Sequence, residues 1–131
     1  MMKKADFSIQ RKDRMISVKL IGKWTTSADL AYLTSLSQAI NAMRRGTWGI
    51  IVDMRQWQVD ESVAEENKNY PVVIDRRNQI AEAWLVNDAK QAQHLDKYFE
   101  SLPFSPLRVQ SQSELNAWAN AHGLPLDSEY Y

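Results

Sequence analysis

Two aspartates stand at the ends of apolar runs, where a pair of carboxylates could carry out general acid–base catalysis. Asp53 ends the run that begins at Trp48, and Asp88 follows the run that begins at Ile80. Aspartates at such positions also commonly cap loops and helix starts through their side-chain oxygens. We expect that structural role for both, and no catalytic residue is assigned.

Other nucleophiles and metal ligands are sparse. Ser62 has no glycine-rich elbow before it, although a catalytic serine needs a base and an oxyanion hole. His94 and His122 lie on predicted helices without a second histidine or a carboxylate pair at ligand spacing. The chain has no cysteine, and its four glycines are dispersed rather than gathered in a phosphate-binding loop. We therefore predict a protein that is not an enzyme and that holds no metal and no cofactor.

Tryptophan is abundant, with five residues in 131. Trp84 and Trp118 fall on predicted core-facing positions, whereas Trp24, Trp48 and Trp57 stand at the ends of elements. Exposed aromatic side chains in loops are typical anchors of protein interfaces. Two interpretations of Trp24 and Trp57 stay open: contact with a partner, or a lid over the open end of a sheet.

Strands and helices alternate along the chain that carries these residues. Period-two alternation of apolar residues around a short polar turn predicts a β-hairpin, and short β-branched runs predict further strands. The predicted strands are Phe7–Gln10, Ile16–Leu20, Trp48–Asp53, Ile80–Val86 and Leu107–Val109. Apolar stripes behind capping residues predict helices. These lie between Thr25 and Gly46, and over Asp60–Asn69, Ala89–Leu102 and Glu114–His122.

The order β-β-α-β-α-β-α-β-α predicts an α/β fold. An N-terminal β-hairpin leads into a mainly parallel sheet of about five strands with right-handed βα crossovers. We expect one domain over residues 1–131, with a core from about 7 to 124. The tail, Asp127–Tyr131, is expected to be frayed.

Charge and hydropathy exclude several classes of function. Sixteen Lys and Arg balance sixteen Asp and Glu, and no basic stripe marks a nucleic-acid-binding surface. No apolar run approaches the roughly 20 residues of a membrane span, and no signal peptide is present. The expected location is the cytoplasm. A hairpin with an exposed edge makes a homodimer one expected assembly.

A family resemblance follows from the element order together with four stretches of residues. These are Gly22–Thr25, Trp48–Arg55, Ala83–Asp88 and Ser113–Trp118. In layout and apolar pattern the chain resembles the bacterial SpoIIAA-like branch of the STAS, or anti-sigma-factor-antagonist, superfamily. The resemblance implies a non-enzymatic interaction or regulatory module with a protein partner.

The regulatory switch of that family is not intact in this sequence. In the family, a serine just after an aspartate, at the start of the helix following the central strand, is phosphorylated to switch binding to an anti-sigma-factor kinase. Here Asp60 matches the aspartate, Glu61 occupies the acceptor position, and Ser62 follows one residue later. Glutamate cannot be phosphorylated, although it carries charge. The expected partner-binding residues are Trp24, Asp53, Arg55, Trp57, Asp60, Glu61 and Ser62.

A second hypothesis comes from the same resemblance. This branch also resembles the lipid-transfer CRAL-TRIO domains, which implies a small carrier of an apolar or lipid-like ligand. Such a carrier needs a cavity of roughly a few hundred cubic ångströms or more.

Overall fold

The computed structural model describes residues 4–43, 45–60, 62–63, 65, 74–126 and 129–131. The strands are β1 (Asp6–Lys12), β2 (Met15–Lys23), β3 (Trp48–Gln58), β4 (Gln79–Leu85) and β5 (Leu107–Val109). The helices are α1 (Thr26–Asn41), the 3₁₀ helix η1 (Gln93–Phe99) and α2 (Gln112–Ala121). In the part of the chain that the structure describes, no helix is long and apolar enough to cross a membrane.

All five strands form one sheet in the order β1-β2-β3-β4-β5. β1 and β2 are antiparallel and are joined by a two-residue turn at Asp13 and Arg14. Asp13 has a φ of +54°, a left-handed conformation that aspartate adopts more readily than most residues. Each of the next three pairs, from β2–β3 to β4–β5, is parallel. The predicted hairpin leading into a mainly parallel sheet is confirmed.

Helix α1 begins where the sequence predicts and ends earlier. The Thr25 hydroxyl accepts a hydrogen bond from the Ala28 amide at 3.1 Å, which satisfies one of the free donors of the first turn. From the predicted apolar stripe, Leu36 and Ile40 are buried against the sheet. The C-terminal cap is Ala42 rather than Gly46.

The sheet has a buried layer on each face. On the α1 face, side chains of β2, β3 and β4 pack against α1 and η1, and the layer includes Ile16, Val18, Ile40, Ile50, Val52, Trp84 and Phe99. On the α2 face, the layer includes Ile51, Ala83, Leu85, Leu115 and Trp118. Both layers follow from the strand pleat, because alternate side chains of a central strand point to opposite faces.

Strand β3 is longer than its apolar run and contains an irregularity. Lys19 on β2 lies opposite Asp53, but Ile21 lies opposite Gln56, so β3 carries one extra residue in this interval. An extra residue of this kind is a β-bulge, which reverses the alternation of side chains beyond it. Met54 in the bulged interval and Trp57 after it are therefore both buried on the α1 face.

The helix predicted over Ala89–Leu102 is wrong in type and extent. The structure has instead a seven-residue 3₁₀ helix, η1, preceded by Ala92 with a left-handed φ of +62°. A left-handed residue interrupts an α-helix, so the turns before Ala92 and the helix after it cannot join. Of the helix predicted over 60–69, the described residues 62, 63 and 65 are helical.

Helix α2 covers the second face of the sheet and has a serine cap. The Ser111 hydroxyl accepts from the Glu114 amide at 3.1 Å. Leu115, Trp118 and Ala119 are buried, and the core-facing position predicted for Trp118 is confirmed. The last residues of the tail that the sequence predicts to be frayed make hydrogen bonds to this helix. The Tyr130 amide donates to Gln112 Oε1 at 2.7 Å. Residues 127 and 128 of the tail lie outside the described residues.

Candidate functional site

A cleft of about 350 Å³ opens at the end of the sheet. It is lined by Gly22, Lys23, Arg55, Gln56, Trp57, Gln58 and Asn87. These residues belong to the carboxyl ends of β2 and β3 and to the chain just after β4. Open α/β sheets place their binding groups at this edge, and the volume is within the range of ordinary ligand sites.

Hydrogen bonds to β3 fix the wall of the cleft that follows β4. The Asn87 side-chain amide donates to the carbonyl of Arg55 at 2.8 Å. The Gln91 side chain donates to the carbonyl of Met54 at 2.6 Å and accepts from the backbone amide of Asn87 at 2.8 Å. The two carbonyls lie beside the bulge, where the ladder is disrupted, so side chains from the next loop take over the pairing.

The rim of the cleft is polar and accessible. Lys23, Gln56, Gln58 and Asn87 are all exposed. They carry one ammonium group and three side-chain amides, of which that of Asn87 already donates to the Arg55 carbonyl. The ammonium group of Lys23 has donors and no acceptor, so the rim has more hydrogen-bond donors than acceptors. A partner that presents carbonyl or carboxylate oxygens matches this rim.

Asp53 and Arg55 lie beside the cleft and face the tail. Arg55 donates to the Asp53 carboxylate from Nε at 3.0 Å and from Nη2 at 2.9 Å, and its backbone amide donates at 3.1 Å. The same Nη2 donates to the carbonyl of Tyr130 at 2.8 Å, and the guanidinium lies 4.4 Å from the centre of the Tyr131 ring. The hydrogen bond with Asp53 raises the pKa of Arg55, and burial raises the pKa of the Tyr131 hydroxyl.

Trp24 and Trp57 are not exposed anchors. Their exposed fractions are 4% and 8%, and their rings meet edge to face with centroids 5.9 Å apart. The indole N–H of Trp24 donates to Asp29 at 3.2 Å. Nε1 of Trp57 is buried and has no hydrogen-bond partner among the residues that the structure describes. Since the bulge turns Trp57 into the α1-face layer, both rings support the cleft from within.

The predicted partner-binding residues therefore separate into three groups. Trp24 and Trp57 lie in the core of the α1 face, whereas Asp53 and Arg55 face the α2 side. Asp60 and Ser62 are exposed on the chain that leaves β3, and the Asp60 carbonyl accepts from the amide of Val63 at 3.1 Å. Glu61 lies outside the described residues.

The two aspartates considered for acid–base chemistry occupy different surroundings. Asp53 is inside a strand and engaged by Arg55, whereas Asp88 is exposed and accepts from the backbone amide of Lys90 at 2.8 Å. Asp88 thus has a turn-capping role. Across the described residues, no group of three or more histidines and carboxylates could hold a metal ion.

A buried polar cluster on the α1 face was missed by sequence reasoning. The Glu82 carboxylate, in a residue 3% exposed, accepts from Arg76 at 2.8 Å, from Gln79 at 3.0 Å and from the indole of Trp84 at 2.7 Å. These three donors supply most of the hydrogen bonds that the Glu82 carboxylate can accept, and a buried charge needs such partners. One sequence signal exists, because Glu82 is the sole charged residue of the run from Ile80 to Val86.

The exposed rim was also missed. Lys23, Gln56 and Gln58 come after the points at which the apolar pattern of their strands stops, and polar residues there are typical of loops. The structure continues β3 to Gln58 and pairs it with Lys23 of β2. Pairing with a neighbouring strand leaves no signal within either run.

The fold defined by this topology is SpoIIAA-like. The structure is similar to that of an uncharacterised protein of the DUF3478 family from Shewanella loihica PV-4, which is described as having a SpoIIAA-like fold. The TM-score is 0.58 at 12% sequence identity, over 90% of this chain and 94% of the other. No model of a known protein family matches the chain, and no curated protein matches it.

Proposed function

We propose that this protein is a non-enzymatic STAS-like interaction module of the cytoplasm, and that its protein partner meets the carboxyl-end cleft. The observation that carries the proposal is the exposed polar rim formed by Lys23, Gln56, Gln58 and Asn87 around a cleft of about 350 Å³. The SpoIIAA-like fold supports it as an analogy of scaffold. Asp60, Glu61 and Ser62, which follow β3, belong to the same proposed surface.

The packing beneath the rim supports binding without rearrangement. Arg55 is held by Asp53 on one side of β3, and Trp57 packs against Trp24 on the other. The loop after β4 is tied to β3 by Asn87. A surface that is ordered before binding loses little conformational entropy on association, which favours affinity.

The chemistry of the rim indicates the kind of partner surface. Lys23 is exposed, and no carboxylate is among the described residues that line the cleft. An acidic or carbonyl-rich segment would find donors there, and electrostatic complementarity of this kind increases association rates and specificity.

An apolar-ligand carrier is the second candidate function. The cleft is large enough for a small ligand, but five of the seven described residues that line it carry amide or cationic side chains, whereas carrier sites are lined mainly by apolar and aromatic residues. The observation therefore favours the interaction module. Native mass spectrometry of the protein purified from its own cells separates the two hypotheses, since a carrier retains a lipid-like mass that an interaction module lacks.

The test of the proposal is quantitative partner capture from lysate of the source organism. Lys23→Glu and Gln58→Ala alter the exposed rim, and Arg45→Glu is a matched charge reversal beyond the far end of α1. We expect partners that bind the wild type to be lost with Lys23→Glu, weakened with Gln58→Ala and retained with Arg45→Glu. Equal retention by all three variants, or equal loss from all three, would contradict the proposed surface.

A further inference from the structure

The outer edge of β1 is an ordered strand edge with donors and acceptors that point away from the sheet. β1 pairs with β2 along all seven of its residues, from Asp6 opposite Ile21 to Lys12 opposite Met15. Because the two-residue turn is closed by a hydrogen-bonded pair at Lys12 and Met15, the alternation of an antiparallel ladder turns every second backbone group outward.

The outward groups are those of Phe7, Ile9 and Arg11. A contact in the structure supports this direction, because the Phe7 amide donates to the carboxylate of its own neighbour, Asp6, at 2.8 Å. The side chains of Phe7 and Ile9 are half-buried against the α1-face layer, so the strand is held in place by its own core contacts. Such an edge is a template for another strand.

We propose that two copies of this chain associate through β1, antiparallel and symmetric about Ile9. In this register Ile9 meets Ile9 of the second copy, and Phe7 meets Arg11 of the second copy. All three outward residues then pair with outward residues, forming about six backbone hydrogen bonds. The two five-stranded sheets become one continuous sheet with two-fold symmetry, and this interface closes on itself.

Charge complementarity and the length of the strand overlap together select the register. With Ile9 at the centre, Asp6 lies opposite Lys12 of the second copy at both ends of the strand pair, and both residues are exposed. Sliding one strand by two residues is the smallest shift that keeps outward groups paired. In one direction it puts Asp6 opposite the uncharged Gln10, and in the other it puts Asp6 opposite Arg14, which lies in the turn beyond the end of β1. Both shifts also shorten the overlap. Cross-strand pairs of opposite charge stabilise a sheet, and like-charged pairs destabilise it.

On dimerisation, the contact of Asp6 within its own chain is replaced by contacts with the second copy. In one copy, the carboxylate of Asp6 accepts from the outward amide of Phe7. On association, that amide donates to the carbonyl of Arg11 of the second copy, and the carboxylate pairs with Lys12 of the second copy.

The opposite edge of the sheet, β5, suits strand pairing less well. It has only three residues, so it offers fewer outward backbone groups than the seven residues of β1.

The test is sedimentation equilibrium of the full chain, combined with charge variants. One strand pair buries less surface than a standard interface, so we expect a dimer with Kd on the order of 10–100 µM. Asp6→Lys and Lys12→Asp each make both end contacts repulsive and should weaken association about tenfold or more. The double variant Asp6→Lys with Lys12→Asp restores opposite charges and should recover the dimer. Lys90→Asp is the control, with the same charge change as Lys12→Asp at another exposed position.

Hydrogen exchange gives a second measurement that does not depend on variants. The outward amides of Ile9 and Arg11 should become protected as protein concentration rises, whereas the inward amide of Gln10 should be protected throughout. A protein that is monomeric at 500 µM, which is about fivefold or more above the expected Kd, would overturn the proposal. So would a dimer that both single charge variants leave unchanged, or a double variant that stays monomeric while retaining the wild-type circular dichroism.

Discussion

Asp53 and Arg55 lie two residues apart on β3 and form a bidentate ion pair whose guanidinium also donates to the carbonyl of Tyr130. One arginine thus joins the central strand to the C-terminal tail at the position of the β-bulge. The side chains of Arg55 and Asp53 are 27% and 11% exposed, so the pair is largely shielded from solvent. Its geometry leads to the first prediction.

Asp53→Asn should lower the free energy of unfolding by about 1–3 kcal/mol, because the largely buried guanidinium loses its charged partner. Urea denaturation at pH 7 measures the change. The matched control is Asp75→Asn, since the Arg77 side chain that pairs with Asp75 is 70% exposed. Breaking an exposed pair should cost less than about 1 kcal/mol. Equal losses in the two variants would show that burial of the Asp53 pair has no effect on stability.

Glu82→Gln tests the buried polar cluster. The variant leaves Arg76 without its countercharge and weakens the acceptor for the Trp84 indole. We expect a loss of about 2–4 kcal/mol, slightly below a fully buried pair because the Arg76 side chain is 18% exposed. The double variant Glu82→Leu with Arg76→Met removes both charges and should be more stable than Glu82→Gln. If the double variant is the less stable of the two, the unpaired charge is not the cause.

Gly49 and Gly46 form a matched pair of glycine sites. A Cβ on Gly49 would lie 2.5 Å from Leu124 Cδ1 and 3.3 Å from the Ala81 carbonyl, whereas a Cβ on Gly46 would have nothing within 4 Å. Gly49→Ala should therefore destabilise the protein by about 1–3 kcal/mol through overpacking. Gly46→Ala should change the stability by less than about 0.5 kcal/mol, as is usual for an open surface site.

Urea denaturation of both variants under the same conditions measures the two changes in the free energy of unfolding. The atom that a Cβ on Gly49 would meet is the end of the Leu124 side chain. The loss of stability in Gly49→Ala therefore depends on how far this side chain can shift. A Gly49→Ala variant as stable as Gly46→Ala would contradict the close packing of Leu124 against Gly49 of β3.

Tyr32 should make the protein sensitive to alkaline pH. Burial of its hydroxyl raises its pKa above the ordinary value of 10, with a smaller contribution from the charge of Glu82. Above about pH 10 the unfolded chain loses this proton while the folded chain keeps it, so stability falls as pH rises, by up to about 1.4 kcal/mol per pH unit. Below that pH the contribution is fully present.

Urea denaturation between pH 8 and pH 11 tests this dependence. Tyr32→Phe should flatten the alkaline slope, because the phenylalanine ring has no proton to lose. Tyr98→Phe, at a ring that is 51% exposed, is the control and should keep the wild-type slope. An unchanged slope in Tyr32→Phe would assign the alkaline loss to other groups.

Much of the fold could be predicted from the sequence because its signals are local. The hairpin, the parallel strands and the start of α1 follow from side-chain period and from the Thr25 cap. The inward face of α2, with Leu115 and Trp118, follows from helical spacing. The predicted α-helix over Ala89–Leu102 is wrong because Ala92 adopts a left-handed conformation. Alanine rarely adopts that conformation, so the residue type gives no sign of the interruption.

The candidate site could be predicted only in part. Arg55 and Trp57 are among the residues that the sequence predicts to bind a partner, and both line the cleft. Trp57 was considered an exposed anchor or a lid, and its 8% exposure excludes an exposed ring. Lys23 and Gln58 were not singled out, because the pairing that brings them together is not encoded in either segment alone.

The sequence by itself determined the class of fold, because period, caps and apolar runs act within a few residues of each other. Tertiary structure decided the rest. The bulge in β3 set which face Trp57 occupies, Arg55 brought Tyr130 onto the sheet, and the cleft formed where β2 and β3 end side by side. Each of these depends on contacts between residues distant in the chain, and such contacts have no period along the sequence.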